Sequence, residues 1–135
     1  MELRFTAYRI HLHHTFGISR SASDWYDIVF VYLIDGGIVG RGEAAPSNRY
    51  NESIEQILSI LKQKVTLPED CSNRETIWNH ILPQLNGIKA LEAAFSMALW
   101  DWWGHTCGRP VHELLEMDTH EMPLTSFTIA IGGLD

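Results

Sequence analysis

The spacing of apolar residues changes once along the chain, and this change constrains the fold more than any other feature of the sequence. Up to about residue 44, apolar side chains tend to recur with the period of two that is typical of β-strands. From residue 53 onward they recur with the period of 3.6 that is typical of amphipathic helices. Strands followed by helices predict an α+β domain.

The first half of the chain predicts a three-stranded antiparallel meander. In residues 3–12, apolar side chains such as Leu3 and Phe5 alternate with polar ones such as Arg4, which predicts a strand with one face exposed to water. Nearly every residue of Tyr26–Ile34 is β-branched or aromatic, so this run is the strongest strand signal. Asp35-Gly36-Gly37 provides the positive φ angles of a tight reversal into a third strand. Residues 14–24 and 46–51 follow neither period, and both are predicted to be irregular loops.

The second half predicts three or four helices. Ser53 precedes the first helix and can form a capping box with Gln56. Ser72 and Glu75 are predicted to open a second helix in the same way, and Pro83 is predicted to stop or kink it.

The longest predicted helix covers residues 88–103, and its alanines would allow the close approach of a partner helix. One face of this helix is apolar and consists of Leu91, Ala94, Phe95, Ala98, Leu99 and Trp102. A short helix from Pro110 to Leu115 follows. Strand character returns at Pro123–Ile131, where the chain offers no obvious partner strand. We therefore expect the α+β domain to be followed by the first strand of a further structural unit.

Composition limits the function classes. A chain of 135 residues is about one domain long, and a whole barrel enzyme of about 250 residues cannot fit in it. The formal net charge of −7 argues against a nucleic-acid partner, which normally requires a basic patch. The two cysteines are too few for a disulfide scaffold, and no apolar stretch is long enough for a bilayer. We therefore expect a cytoplasmic protein with no signal peptide and no membrane partner.

Several residue clusters suggest chemistry, but each has a simpler interpretation. His11, His13 and His14 invite a metal hypothesis, yet no further ligand recurs at a matching spacing, so we predict no metal site. Lys62-Gln-Lys64 lies in a predicted helix, where lysines normally face solvent. Gly40-Arg-Gly42 lacks the third glycine of a dinucleotide-binding loop. Trp100 and Trp103 lie off the apolar stripe and are candidates for burial against another domain.

Four stretches occur in an order and spacing that resemble the N-terminal capping domain of the enolase superfamily. They are Thr15-Phe16 with Arg20, the segment Gly40–Ser53 (GRGEAAPSNRYNES), the segment Ala90–Asp101 (ALEAAFSMALWD), and Thr125–Ile129 (TSFTI). Within that superfamily the chain is most similar to the mandelate racemase and muconate lactonizing branch, particularly the dipeptide (L-Ala-D/L-Glu) epimerases.

The resemblance implies a division of the chain and of the enzyme. Residues 1–117 would be the capping domain, and residues 118–135 would be a linker and the first strand of a barrel that is otherwise absent. The family's base lysines and its three acidic Mg²⁺ ligands would lie beyond Asp135. We therefore expect Mg²⁺ in the full-length parent, but no metal ligand, no catalytic residue and no turnover in this chain alone. The missing barrel domain would be a partner, together with a small-molecule dipeptide substrate.

The resemblance also implies where substrate would be bound. Two cap loops, matched here by residues 15–24 and 46–52, close over the substrate in the family. Arg20 and Arg49 are candidate partners for a substrate carboxylate, and Phe16 and Tyr50 are candidate walls. Thr128, in the match to the barrel strand, is a candidate contact to the peptide. For Glu43 and Asp101, which also belong to the matching motifs, we predict structural roles.

Two other functions fit the same sequence. The first is the cap of a muconate cycloisomerase or of an o-succinylbenzoate synthase, because such enzymes use similar caps. The second is a freestanding binding or oligomerisation module without catalysis, which a stop codon after Asp135 would favour. Without a barrel the apolar underside of the cap must be covered, so we also expect a homo-oligomer.

Overall fold

The structure is a three-stranded sheet covered on one face by helices, which confirms the predicted α+β class. This computed structural model describes residues 1–18, 21–63, 65–121 and 123–126. The strands are β1 (Glu2–Ile18), β2 (Ser21–Asp35) and β3 (Ile38–Ala44). They form an antiparallel meander in the order β1-β2-β3, and Gly36 and Gly37 have the positive φ angles predicted for the reversal.

The first predicted loop is largely strand, so that prediction was wrong. Beyond the end of β3, strands β1 and β2 continue as a two-stranded arm (residues 8–18 and 21–28), in which Phe16 pairs with Ser23 and Gly17 pairs with Ala22. The Thr15 hydroxyl donates to the Asp24 carboxylate across the arm. The small and polar residues of this segment pair through their backbones, and neither face of the hairpin is buried. The sequence therefore lacks the alternation of apolar and polar residues that would have indicated a strand.

The helices begin close to the predicted positions, but the longest one continues about one turn beyond its predicted end at residue 103. They are α1 (Ile54–Lys62), α2 (Arg74–Ile81), α3 (Lys89–Cys107) and α4 (Val111–Leu114). The capping box at the start of α1 is confirmed, with Ser53 N–H donating to Gln56 Oε1 over 2.9 Å. Helix α2 is capped by Asn73 instead of Ser72, because the Asn73 side chain accepts from the first-turn N–H of Glu75 over 2.7 Å.

The core lies between the inner face of the sheet and the helices. The apolar stripe predicted for α3 is confirmed, since each of its six residues is at most 2% exposed. The stripe packs with fully buried residues of β2, α1 and α2, which include Val29, Val31, Leu33, Ile57, Ile77 and Ile81.

Helix α3 lies directly against the backbone of β3. Gly40 and Gly42 point toward the helix, and a Cβ atom at these positions would overlap the carbonyl oxygens of Ala98 and Ala94 respectively. The alanines of α3 therefore permit the close approach of a strand, where we expected a partner helix. The same contact explains the Gly-Arg-Gly sequence, which brings two backbones together.

Two carboxylates hold this arrangement by accepting backbone hydrogen bonds. Asp101 Oδ2 accepts from the N–H of Arg41 over 2.8 Å, which confirms its predicted structural role. Glu52 is 7% exposed and is the one buried charged side chain among the residues described. Its Oε1 accepts from the N–H groups of Lys89 (2.5 Å) and Ala90 (3.3 Å) at the start of α3. Glu43 is exposed, and its structural role stays a prediction.

We expect Gly42→Ala to destabilise the domain strongly. The added methyl group would meet helix backbone, which cannot rotate away, so the loss should reach about 3 kcal/mol, the upper end for overpacking. Urea unfolding followed by tryptophan fluorescence measures this change. Gly104→Ala is the matched control, because its Cβ would lie 3.1 Å from Arg109 O and alanine favours a helix. A loss at Gly42 no larger than at Gly104 would contradict the close approach of α3 and β3.

We expect the charge and the oxygens of Glu52 to contribute separately to stability. Glu52→Ala leaves the part-buried N–H groups of Lys89 and Ala90 without their acceptor and should cost about 1–3 kcal/mol. Glu52→Gln keeps an acceptor oxygen and should lose less than about 1 kcal/mol, mainly the attraction of the charge to the helix N-terminus. The same unfolding measurement applies, with exposed Glu69→Ala as the control. Equal stability of Glu52→Ala and the unsubstituted chain would exclude the capping role.

Candidate functional site

The arm and the segment after β3 leave the sheet at the same end. Strand β3 ends at Ala44, which pairs with Val29 in the middle of β2. Beyond that level β1 and β2 continue alone, as far as the pair of Ile18 with Ser21. The chain that follows Ala44 therefore starts beside the base of the arm. The two regions that the resemblance relates to substrate are thus joined to one edge of the domain.

The arm forms an open groove of about 470 Å³, with Phe16 in its wall. The other lining residues are Leu12, His13, His14, Thr15 and Tyr26. The ring centroids of His13 and His14 are 5.2 Å apart. Phe16 is half-buried, as a wall residue of an open groove would be.

An ion pair stiffens the base of the arm. Arg9 donates two hydrogen bonds of 2.8 Å to the two carboxylate oxygens of Asp27 on the facing strand. The guanidinium carbon also lies 3.7 Å from the ring centroid of Trp25. The hydrogen bond from Arg9 lowers the pKa of Asp27, so the carboxylate stays ionised. Arg9 is therefore occupied within the arm.

The segment Ser47–Glu52 is a closed turn that presents Arg49 and Tyr50 to solvent. Ser47 O accepts from the N–H groups of Tyr50 (2.9 Å) and Glu52 (3.2 Å), and the backbone of Asn51 has a φ of 55°. Because Glu52 is bound to α3, this turn is fixed to the core at its C-terminal end. The Arg49 guanidinium carbon lies 5.9 Å from the Tyr50 ring centroid, and Tyr50 is 64% exposed.

Arg49 is one of three described arginines, with Arg41 and Arg74, whose charge is not paired with a carboxylate. Arg4, Arg9 and Arg109 each lie within 4 Å of a carboxylate, on Glu2, Asp27 and Glu113 respectively. Within residues 1–18, 21–63, 65–121 and 123–126, Arg49 forms no such pair. Its guanidinium can therefore accept an external carboxylate without first breaking an ion pair.

The structure places three of the five predicted substrate residues. Phe16 lies on the arm, whereas Arg49 and Tyr50 lie together on the turn. Arg20 and Thr128 lie outside the described residues, as does most of the predicted terminal strand Pro123–Ile131.

Sequence reasoning missed the two interactions that position these residues. Glu52 was part of a matching motif but received no role, because its partner is 37 residues away and no local pattern indicates it. Arg9 and Asp27 are 18 residues apart, but a correct antiparallel register would have placed them opposite each other.

The described residues do not fit Mg²⁺, because no three histidine, cysteine, aspartate or glutamate side chains among them are grouped so that they could hold a metal ion. Lys62 is exposed, and Lys89 donates to Glu92 over 2.7 Å. Lys64 lies outside the described residues. None of the described helices is both long enough and apolar enough to span a membrane.

Comparison with known proteins agrees with this architecture. A family profile, "Mandelate racemase / muconate lactonizing enzyme, N-terminal domain", matches residues 1–116. The L-Ala-D/L-amino acid epimerase of Flavobacterium johnsoniae is 30% identical over 137 residues, which cover 100% of this chain and 41% of that protein. The chain thus spans about two fifths of the length of this relative.

Solved structures of similar enzymes contain the same fold. A substrate-liganded complex of the L-Ala-D/L-Glu epimerase from Bacillus subtilis has a TM-score of 0.74 and 27% identity, over 85% of this chain and 33% of that one. A dipeptide epimerase from Cytophaga hutchinsonii, complexed with Mg and D-Ala-L-Val, has a TM-score of 0.79 over 96% of this chain and 36% of that one. Its identity is 20%, so that likeness shows the fold alone.

A three-stranded meander backed by helices and a profile match over 116 residues lead to one assignment. The chain belongs to the mandelate racemase/muconate lactonizing enzyme family of the enolase superfamily and carries its N-terminal capping domain.

Proposed function

We propose that this chain is the capping domain of a dipeptide epimerase and that it selects the substrate for a barrel domain that performs the chemistry. The observation that carries the proposal is the match to the Flavobacterium johnsoniae epimerase, which covers this chain completely. The arm and the Ser47–Glu52 turn support it, because both extend from the end of the sheet where β3 stops. A lid needs such projecting segments on a rigid base.

The chemistry itself would belong to the barrel. Epimerisation removes a proton α to a carboxylate. In the full-length parent, bound Mg²⁺ would supply stabilisation of the resulting negative charge, and the resemblance implies that lysines of the barrel would act as the bases. Because the described residues hold no metal-binding cluster, we propose that Mg²⁺ binds to the full-length parent outside this domain. The cap would contribute by excluding water, which strengthens electrostatic interactions inside the closed site.

Selection would come from the exposed cation of the turn. Arg49 can donate paired hydrogen bonds to the side-chain carboxylate of an acidic dipeptide, and Tyr50 and Phe16 can cover its apolar parts. The anchorage of Glu52 on α3 would keep Arg49 in place. Arg20 and Thr128 stay predicted contacts to the substrate carboxylate and to the peptide part.

We expect no epimerase activity from the 135-residue chain on its own. The pure chain, incubated with L-Ala-L-Glu and Mg²⁺ in D₂O, should not exchange the α-proton of the dipeptide, as followed by proton NMR. The Bacillus subtilis L-Ala-D/L-Glu epimerase under the same conditions is the positive control. Exchange by a mass-verified sample of this chain would show that the catalytic groups lie within it.

We expect Arg49 to distinguish acidic from neutral dipeptides. In a chimera that carries residues 1–117 on the barrel of the Bacillus subtilis epimerase, Arg49→Ala should raise KM for L-Ala-L-Glu about 10–100-fold, the value of one charged hydrogen-bond contact. A neutral dipeptide should lose far less. Arg20→Ala tests the other predicted carboxylate partner in the same assay.

Arg109→Ala is the matched control for the chimera, since Arg109 is exposed beside α4 and pairs with Glu113. Steady-state kinetics on both dipeptides separate KM from kcat. Equal losses on acidic and neutral dipeptides would remove Arg49 as the carboxylate partner.

A further inference from the structure

We propose that the hydrogen bond between Thr15 and Asp24 is a positioning contact, which holds the groove of the arm in the shape that receives part of the substrate. This inference rests on the proposed function, because it assigns the groove to the dipeptide. Thr15 belongs to one of the four stretches that resemble the capping domain, whereas Asp24 lies outside all of them. The contact joins the two strands of the arm at the point where their backbone pairing is irregular.

The irregularity is a bulge in β1. Regular pairing is interrupted between two cross-strand pairs, His11 with Trp25 and Phe16 with Ser23. Residues 12–15 of β1 therefore lie opposite a single residue of β2, which is Asp24. Extra residues in one strand bend it and redirect its side chains, and such bulges are frequent beside active sites. The bulge thus marks the part of the arm with a conformation that strand pairing alone does not fix.

The bulge supplies most of the groove. Five of the six lining residues are the consecutive residues 12–16, and the sixth is Tyr26 of β2. Leu12, Phe16 and Tyr26 give the groove apolar walls that suit the aliphatic part of a dipeptide. Because the lining comes mainly from one continuous segment of backbone, a change in the bulge alters the shape of the whole groove.

A side-chain hydrogen bond spans the bulge. Thr15 Oγ1 donates to Asp24 Oδ1, and a hydroxyl bound to a carboxylate makes a stronger contact than one bound to a neutral acceptor. The backbone on either side of Asp24 is held by Ser23, because the Ser23 hydroxyl donates to Trp25 O and accepts from Trp25 N–H over 3.3 Å. Asp24 is therefore a fixed point to which the bulge is attached.

The bracing on the β2 side continues to the base of the arm. The Trp25 ring centroid lies 3.7 Å from the Arg9 guanidinium carbon. Arg9 in turn donates two hydrogen bonds of 2.8 Å to Asp27. Loss of the Thr15 hydroxyl would leave these contacts intact and release residues 12–15 of the facing strand. Thr15 is therefore the residue whose removal should change the groove without changing its support.

The contact lies outside the buried core. Thr15 and Asp24 are both exposed, and neither belongs to the hydrophobic cluster between the sheet and the helices. An exposed hydrogen bond adds little to the free energy of unfolding, since water replaces the lost partner. Its loss should therefore affect binding in the groove and leave the stability of the domain nearly unchanged.

Kinetics of the chimera test whether the contact serves substrate binding. Thr15→Val removes the hydroxyl, keeps the branched shape of the side chain, and should raise KM for L-Ala-L-Glu about 3–10-fold. The value of kcat should change by less than about twofold, because a contact made equally in the ground state and the transition state affects KM alone. Thr15→Ser keeps the donor and should restore KM to within about twofold of the original value. Thr76→Val, the same change at an exposed position of α2, is the matched control.

Proton NMR on the 135-residue chain tests the geometry independently of catalysis. The ring centroids of His13 and His14 in the groove wall are 5.2 Å apart, so a nuclear Overhauser contact should join the two rings. Asp24→Ala, a substitution on the facing strand, should abolish this contact. Asp24→Asn keeps an acceptor oxygen and should preserve it, although both variants lose the charge. Circular dichroism of each variant verifies the fold.

Two results would overturn the inference while the proposed function stands. An unchanged contact between the rings in Asp24→Ala would show that the bulge does not need the hydrogen bond. An unchanged KM for Thr15→Val in an active chimera would show that the groove does not bind the dipeptide through this geometry. An inactive unsubstituted chimera would overturn the proposed function and, with it, the assignment of the groove to the dipeptide. The NMR comparison would still decide whether Thr15 and Asp24 hold the bulge.

Discussion

The contact between the backbones of α3 and β3 is the constraint on which the rest of the domain depends. Gly40 and Gly42 have no side chains, so the helix lies against the strand at a distance that any Cβ would prevent. This proximity lets Asp101 reach the N–H of Arg41 and brings the stripe around Phe95 and Trp102 onto the sheet. A helix held so closely to an edge strand gives the domain a rigid centre for its projecting segments.

The carboxylate of Glu52 fixes the Ser47–Glu52 turn of the candidate site to helix α3. The N-terminus of α3 has no capping side chain of its own, and Glu52 supplies one from the turn that presents Arg49 and Tyr50. The same interaction therefore gives the first N–H groups of α3 an acceptor and holds the turn in place. On the arm, Arg9 and Asp27 perform a similar task, since their two hydrogen bonds join β1 to β2 beyond the end of β3.

The elements that sequence predicted well are those whose signals are local. The capping box of Ser53, the glycine turn at Gly36 and the apolar stripe of α3 each depend on residues within a few turns of one another. The arm was predicted to be a loop because backbone pairing of small residues leaves no hydrophobic period. Likewise, Phe16, Arg49 and Tyr50 could be named from a matching motif, whereas the anchor Glu52 acts across 37 residues and had no local signal.

The unbroken apolar run of β2 packs differently on the two sides of the strand. Its inner residues are satisfied by α1, α2 and α3, which explains why Val29, Val31 and Leu33 are fully buried. On its outer side, Phe30 stacks on Tyr32 and meets Tyr8 edge to face, and Ile28 is only 3% exposed. A sheet that needed one dry face would tolerate polar residues at these outer positions. Contacts between aromatic rings on β1 and β2 stabilise the pairing of these strands, which explains why the outer side of β2 is apolar as well.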